Sequence, residues 1–209
     1  MSHRFPKARL LIFAKAPQAG RVKTRLIPAI GAQAAAELHQ RLVSDTLQRV
    51  AAANLCPLEL WVSPDAEQPF FRDMQRQYAM SLHVQQGADL GERMYNAAAD
   101  ALTRADSVAL IGTDCPPMSG DHLACALAGL QRHDAMLGPA EDGGYVLLAL
   151  KRAEWHLFDA VPWGTGEVAD VTRRRLRELD WRWRELPPLW DLDRPQDLPR
   201  WGGFAASAE

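Results

Sequence analysis

At 209 residues, with 47% apolar and 24% charged side chains, the chain suits one α/β core and is too ordinary in composition for a disordered or fibrous protein. A formal net charge of -2 and the lack of any basic amphipathic helix argue against nucleic acid and membrane surfaces as partners. Cys56, Cys115 and Cys125 form no C-x-x-C pair and the six histidines no H-E-x-x-H, so neither a disulfide framework nor a zinc knuckle is expected, and a reducing cytoplasm is.

In chain order, Leu10, Leu11, Ile12, Phe13 and Ala14 form a continuous apolar run. The run is too short for a signal-peptide core or a membrane span, and suits a strand buried on both faces. A loop rich in Pro, Gly and basic residues follows over 15–25. Leu38, Leu42, Leu47, Val50 and Ala51 recur at helical steps. Leu58, Glu59, Leu60, Trp61 and Val62 predict a strand, stopped by Ser63-Pro64-Asp65. A helix is expected over 71–78, a strand over 82–85, a helix with its stripe on Leu90, Met94, Ala97, Ala98, Ala101 and Leu102, and a second buried strand over 108–112. Leu123, Leu127 and Leu130 mark another helix. Strands over 135–138 and 145–150 flank a turn at Asp142-Gly143-Gly144. Val168, Val171, Leu176 and Leu179 mark a late helix, residues 181–184 alternate with period two, and 189–193 are expected to form a last short strand.

Strands alternating with helices predict a mostly parallel sheet with helices on both faces, a three-layer α/β/α sandwich in one domain over 1–209, its tail over 202–209 frayed. Ligands bind such sheets beyond the carboxyl ends of the strands, so chemistry is sought there. The loop after the first strand carries Lys15, Gly20, Arg21, Lys23, Thr24 and Arg25, a composition suited to an anion cradle or, equally, to a solvated basic loop. Arg21 and Val22 separate Gly20 from Lys23, which breaks Walker A spacing, and no G-x-G-x-x-G is present. Asp114, just past the 108–112 strand, is placed to hold Mg2+ or Mn2+, or to cap a turn. In Asp191-Leu192-Asp193, two carboxylates project to one side if the segment is extended; Asp193 is a second metal candidate or a helix cap before Pro195. Glu141, Asp142, Gly143, Gly144 and Tyr145 form either a plain hairpin turn or an acid-base and hydroxyl-binding edge. Gly87, Leu90 and Gly91 lie in a strand-to-helix turn able to contact a base or sugar, with Asp89 a possible helix cap. Trp163 and the Trp181/Trp183 pair are expected in packing, and Cys115 has no neighbouring histidine to activate it.

Taken in order, the segments K-A-P-x-x-G-x-V-K-T-R-L, D-L-G-E-R-M, G-T-D-C-P and E-D-G-G-Y resemble those of the GT-A-fold nucleotide-diphospho-sugar transferase superfamily, over residues 10–198. Within it the chain is most similar to the radical-SAM/selenodomain-associated, or arsenosugar-biosynthesis, glycosyltransferase-like group, itself related to the guanylyltransferases of cofactor F420 and molybdenum cofactor synthesis. The resemblance implies a GT-A fold, with Lys23 and Arg25 on the donor phosphates, Asp114 and Asp193 on a divalent metal, and residues 142–145 on the acceptor side. The chain departs from the molybdenum-cofactor enzymes, whose loop reads L-A-G-G-x-S-x-R-M-G, and T-D-C-P offers one aspartate where many glycosyltransferases carry D-x-D. The expected activity is transfer from an NTP or nucleotide-sugar donor to a small-molecule acceptor. Nucleotidylyl transfer to a phosphorylated small molecule is favoured; glycosyl transfer, with Glu141 or Asp142 as base, and a catalytically silent nucleotide-binding module are the alternatives.

Overall fold

The computed structural model describes residues 3–202 of the chain. The expected fraying of the tail concerns residues 202–209, of which 203–209 lie outside the described ones. One seven-stranded sheet has the order β3-β2-β1-β4-β6-β5-β7, formed by β1 (Ala8–Lys15), β2 (Leu58–Ser63), β3 (Met80–Val84), β4 (Ser107–Ile111), β5 (Ala135–Pro139), β6 (Tyr145–Leu150) and β7 (Trp183–Glu185). β6 runs antiparallel to β4 and β5, and the other pairings are parallel. The carboxyl ends of β1, β4 and β5 therefore meet the start of β6 at one edge.

Period-two alternation divides the core. Leu10, Ile12 and Ala14 of β1 pack with Val43, Leu47 and Val50 of α2 (Ala32–Ala53), following the short α1 (Ile27–Ile30), with Phe71 of α3 (Pro69–Gln77), and with Leu123 and Leu127 of α5 (Gly120–Gly129). Leu11 faces the other way, into a cluster with Met94, Ala97, Ala98 and Ala101 of α4 (Leu90–Leu102) and Leu176 of α6 (Val168–Glu178). The expected sandwich is thus present. Among the described residues no helix is long and apolar enough to cross a membrane.

Two expectations need correction. Residues 189–193 form no strand; a single bridge joins Leu189 to Ala140, because the segment leaves the sheet to bury Leu192 among Leu26, Leu38 and Leu42. The late alternating segment pairs only over β7, and Trp181 precedes it, buried beneath the Arg152 guanidinium at 4.6 Å.

Glu59 on β2 is a buried carboxylate, 3% exposed. Arg104 donates to both of its oxygens at 3.0 Å, and Trp61 Nε1 donates to Oε2 at 3.2 Å. Glu59→Gln should lower stability by about 2 kcal/mol, since it leaves the guanidinium beside a neutral amide and one indole donor poorly paired. The urea midpoint would fall while the denaturant slope stays unchanged.

Candidate active site

The loop over 15–25 is held by its apolar members. Val22 and Leu26 are buried, so the charged residues between and beside them turn upward over the sheet edge. Lys23 adopts a left-handed backbone, φ +49, and its side chain is buried at 3% exposure. Its ammonium lies 2.8 Å from Asp114 Oδ1 and donates to the Leu192 carbonyl. Arg25 donates to Asp193 Oδ2 and, at 3.3 Å, to the Gly164 carbonyl.

Asp114 follows β4 and caps nothing: Ser119 caps α5, accepting from the His122 amide. Its backbone carbonyl accepts from the Leu192 amide at 2.7 Å, which ties the 189–193 segment to the end of β4. Burial of Leu192 then turns Asp191 and Asp193 to the opposite side, into the cleft. Asp193 is not the cap of the final 3-10 helix (Pro195–Trp201) either. That cap is Arg194, and Asp197 Oδ2 accepts from the Asp193 and Arg194 amides. Burial opposes ionisation of Asp114, but the Lys23 ammonium and His39 outweigh it and hold the carboxyl below its ordinary range.

The cleft has two lobes that share Lys15, Arg25, Asp114 and Asp193. One, of about 430 Å3, adds Arg21, Lys23, Thr24, His39 and Gln85. The other, of about 450 Å3, adds Asp142, Gly144, Tyr145, Trp163 and Asp191. Leu90 and Phe13 line both.

Most of the residues singled out from the sequence thus reach one cleft: Lys15, Arg21, Lys23, Thr24, Arg25, Leu90, Asp114, Asp142, Gly144, Tyr145, Trp163, Asp191 and Asp193. The others do not line either lobe. Gly20, φ +78, shapes the loop. Gly87, φ +143, turns β3 towards α4, and Asp89 caps that helix by accepting from the Glu92 amide. Gly91 is buried where a Cβ would come within 2.4 Å of the Phe158 carbonyl oxygen. Gly143, φ +90, packs its turn onto Gly166. Glu141 turns away from the lobes to pair with Arg200 at 2.7 Å.

The sequence reading passed over His39 and Gln85, both in the first lobe. His39 sits on the buried stripe of α2 with its Nε2 2.9 Å from the Lys15 carbonyl, so that nitrogen carries the proton, and its Nδ1 is 3.9 Å from Asp114 Oδ1. Burial lowers its pKa, opposed by the nearby Asp114 carboxylate. A histidine at an apolar helical position, four before Val43, was the available signal.

Asp191 is raised to about 6, by burial first and then by the charge of Asp142. Because the folded value exceeds the unfolded one, the proton-bound form stabilises the fold below the ordinary aspartate range, and that contribution is lost as pH rises through about 6. Asp191→Asn should therefore raise the melting temperature at pH 8, with the gain disappearing below about pH 4, in thermal unfolding across pH.

The profile of a family described as "Uncharacterized protein conserved in bacteria (DUF2064)" matches residues 46–165. The chain belongs to this family. A solved structure from Desulfovibrio desulfuricans G20, provisionally named a nucleotide-diphospho-sugar transferase, is 32% identical to this DUF2064 chain, with a TM-score of 0.84 over 97% of this chain and 90% of that one. Two more distant structures share its fold. The 4-diphosphocytidyl-2C-methyl-D-erythritol synthase of Anaerococcus prevotii is 11% identical, with a TM-score of 0.61 over 93% of this chain and 96% of that one. The glucosyl-3-phosphoglycerate synthase of Mycobacterium tuberculosis, solved with Mn2+, UDP and glucosyl-3-phosphoglycerate, is 10% identical, with a TM-score of 0.57 over 93% of this chain and 75% of that one. No curated protein matches the DUF2064 chain.

Proposed function

We propose that this chain is a metal-dependent, nucleotide-using transferase acting as one domain, which binds an NTP or nucleotide-diphospho-sugar in the first lobe and passes part of it to a small molecule in the second. One observation carries the reading: Lys15, Arg21, Lys23 and Arg25 converge with Asp114 and Asp193 beyond the strand ends. Phosphate transfer and departure depend mainly on positioning and charge, so no activated protein nucleophile is needed. The ordered motifs that resemble radical-SAM/selenodomain-associated transferases, and the fold shared with nucleotidyl and glycosyl transferases, support the same reading.

Two carboxylates suit Mg2+ or Mn2+, hard ions that take oxygen ligands and complete their shell with substrate phosphates and water. When bound, such an ion would offset charge on the departing phosphate. Asp114 and Asp193 would hold it, releasing Lys23 and Arg25 from their ion pairs to meet donor oxygens. Phe13, Leu90 and the Gln85 amide offer the base an apolar wall with a polar edge. The unpaired thiols fit a cytoplasmic enzyme.

The test is a panel of NTPs and UDP-, GDP- and ADP-sugars with Mg2+ or Mn2+, followed by thermal shift and by release of pyrophosphate or nucleoside diphosphate. Stabilisation by an NTP with pyrophosphate release identifies nucleotidylyl transfer. Stabilisation by a nucleotide sugar with nucleoside diphosphate release identifies glycosyl transfer. If no nucleotide stabilises the protein, the reading falls.

A further inference from the structure

The two lobes differ in charge in a way that bears on the acceptor. The first is lined by four cationic side chains, Lys15, Arg21, Lys23 and Arg25, against two carboxylates, Asp114 and Asp193. The second keeps only Lys15 and Arg25 from that set, and sets them against four carboxylates, Asp114, Asp142, Asp191 and Asp193. Arg25 is engaged by Asp193, and both residues lie on the shared boundary. Among the described residues neither Asp142 nor Asp191 has an ion-pair partner, so a metal on the other two would leave this pair of negative charges in place. The rest of the lobe is carbon-rich. Tyr145 and Trp163 meet edge to face at 6.2 Å, and the Tyr145 hydroxyl is directed to Met94 Sδ at 3.8 Å, not to the cavity.

From this we infer that the acceptor is an uncharged polyhydroxylated molecule, such as a sugar or polyol, and not a phosphorylated one. The inference rests on the transferase reading above and narrows it, turning from the phosphorylated acceptor that the motifs alone favoured. A phosphate placed beside Asp142 and Asp191 meets like charge, which costs several-fold to many-fold in affinity. A carboxylate oxygen only accepts hydrogen bonds, and vicinal hydroxyls donate them in pairs. The C–H face of a sugar ring packs on aromatic carbon of the kind that Tyr145 and Trp163 present. Asp142 Oδ1 accepts from the Gly144 amide at 2.9 Å, which fixes the carboxylate and leaves Oδ2 for the acceptor. In the transfer, the acceptor oxygen bonds to the donor's transferred carbon or phosphorus. The bond from that atom to the leaving phosphate oxygen breaks, its electron pair departs with the phosphate, and the hydroxyl proton passes to Asp142 Oδ2.

Ligand-observed NMR on the full chain tests this without turnover, with glucose, mannose, ribitol and glycerol set against their monophosphates and against glucosamine. At least one neutral compound should bind about tenfold more tightly than its phosphate. In Asp142→Asn/Asp191→Asn the gap should shrink to about threefold or less, because both asparagines keep the shape and an acceptor oxygen. Tighter binding of a phosphate, preference for the amine, binding of no neutral compound, or a gap that survives the double substitution would each overturn the inference. Nucleotide thermal shifts on the same samples separate the two claims. Nucleotide binding with a preferred phosphate acceptor sinks only the inference, whereas neutral-sugar binding without any nucleotide response sinks the transferase reading.

Discussion

Asp114→Asn is expected to lower turnover by about a hundredfold to a thousandfold while the protein remains folded. The substitution keeps the side chain's shape and removes its charge just past the end of β4, at the carboxylate proposed above as a metal ligand. The stability cost should be about 2 kcal/mol, because the Lys23 side chain is only 3% exposed and its ammonium loses its counter-charge. The half-exposed Asp114 side and the Leu192 carbonyl, which Lys23 keeps as an acceptor, hold the cost to that level. Titrating Mn2+ at saturating donor distinguishes two roles for the carboxylate. As a metal ligand, its loss raises the metal concentration needed for half-maximal rate. If Asp114 serves only to position Lys23, the metal requirement stays at the wild-type value and donor affinity alone falls. The second outcome would remove Asp114 from the proposed metal site.

The strands and helices were legible because burial on two faces writes a plain signal. Leu10 to Ala14 could be little else than a central strand, and α4's stripe of Met94, Ala97, Ala98 and Ala101 repeats at helical spacing. The 189–193 segment misled because its alternation serves another purpose: Leu192 anchors in the cluster under α2, and the aspartates on either side are turned to the cleft without a strand partner. Among the candidate site residues, Lys15 at the end of β1 and Asp114 just past β4 both line the cleft, where the strand-end rule looks for chemistry. Gly91 and Gly143 line neither lobe and are explained by backbone approach to Phe158 and Gly166, partners distant in sequence. Glu141 and Asp142 are adjacent and chemically alike, and only the hairpin's geometry sends one to Arg200 and the other to the lobe. His39 needed the fold as well, because its partners, the Lys15 carbonyl and Asp114, come from two different strand ends.

Gly143→Ala should be the most damaging single methyl in the second lobe, costing about 3 kcal/mol, or roughly 10 °C in melting temperature. Two penalties combine. The backbone is at φ +90, which an L side chain adopts only with strain, and the new Cβ would lie 2.1 Å from the Gly166 carbonyl oxygen and 2.8 Å from its Cα. Neither neighbour is a flexible side-chain end, so the turn itself must lift. That lift would break the hydrogen bond from the Ala169 amide to the Gly143 carbonyl, 2.9 Å, which docks the β5–β6 hairpin onto the start of α6. Asp142 and Gly144 line the second lobe from this hairpin, while Trp163, Gly164 and Thr165 line it from the segment before α6, so separating the two opens that lobe specifically. Acceptor binding should therefore fall further than donor binding. Gly20→Ala is the control: its φ of +78 carries the same kind of strain, but a Cβ there meets nothing within 4 Å. It should cost only about 1 kcal/mol. Equal losses in the two variants would show that backbone strain alone governs Gly143, and that contact with Gly166 contributes nothing to holding the second lobe together.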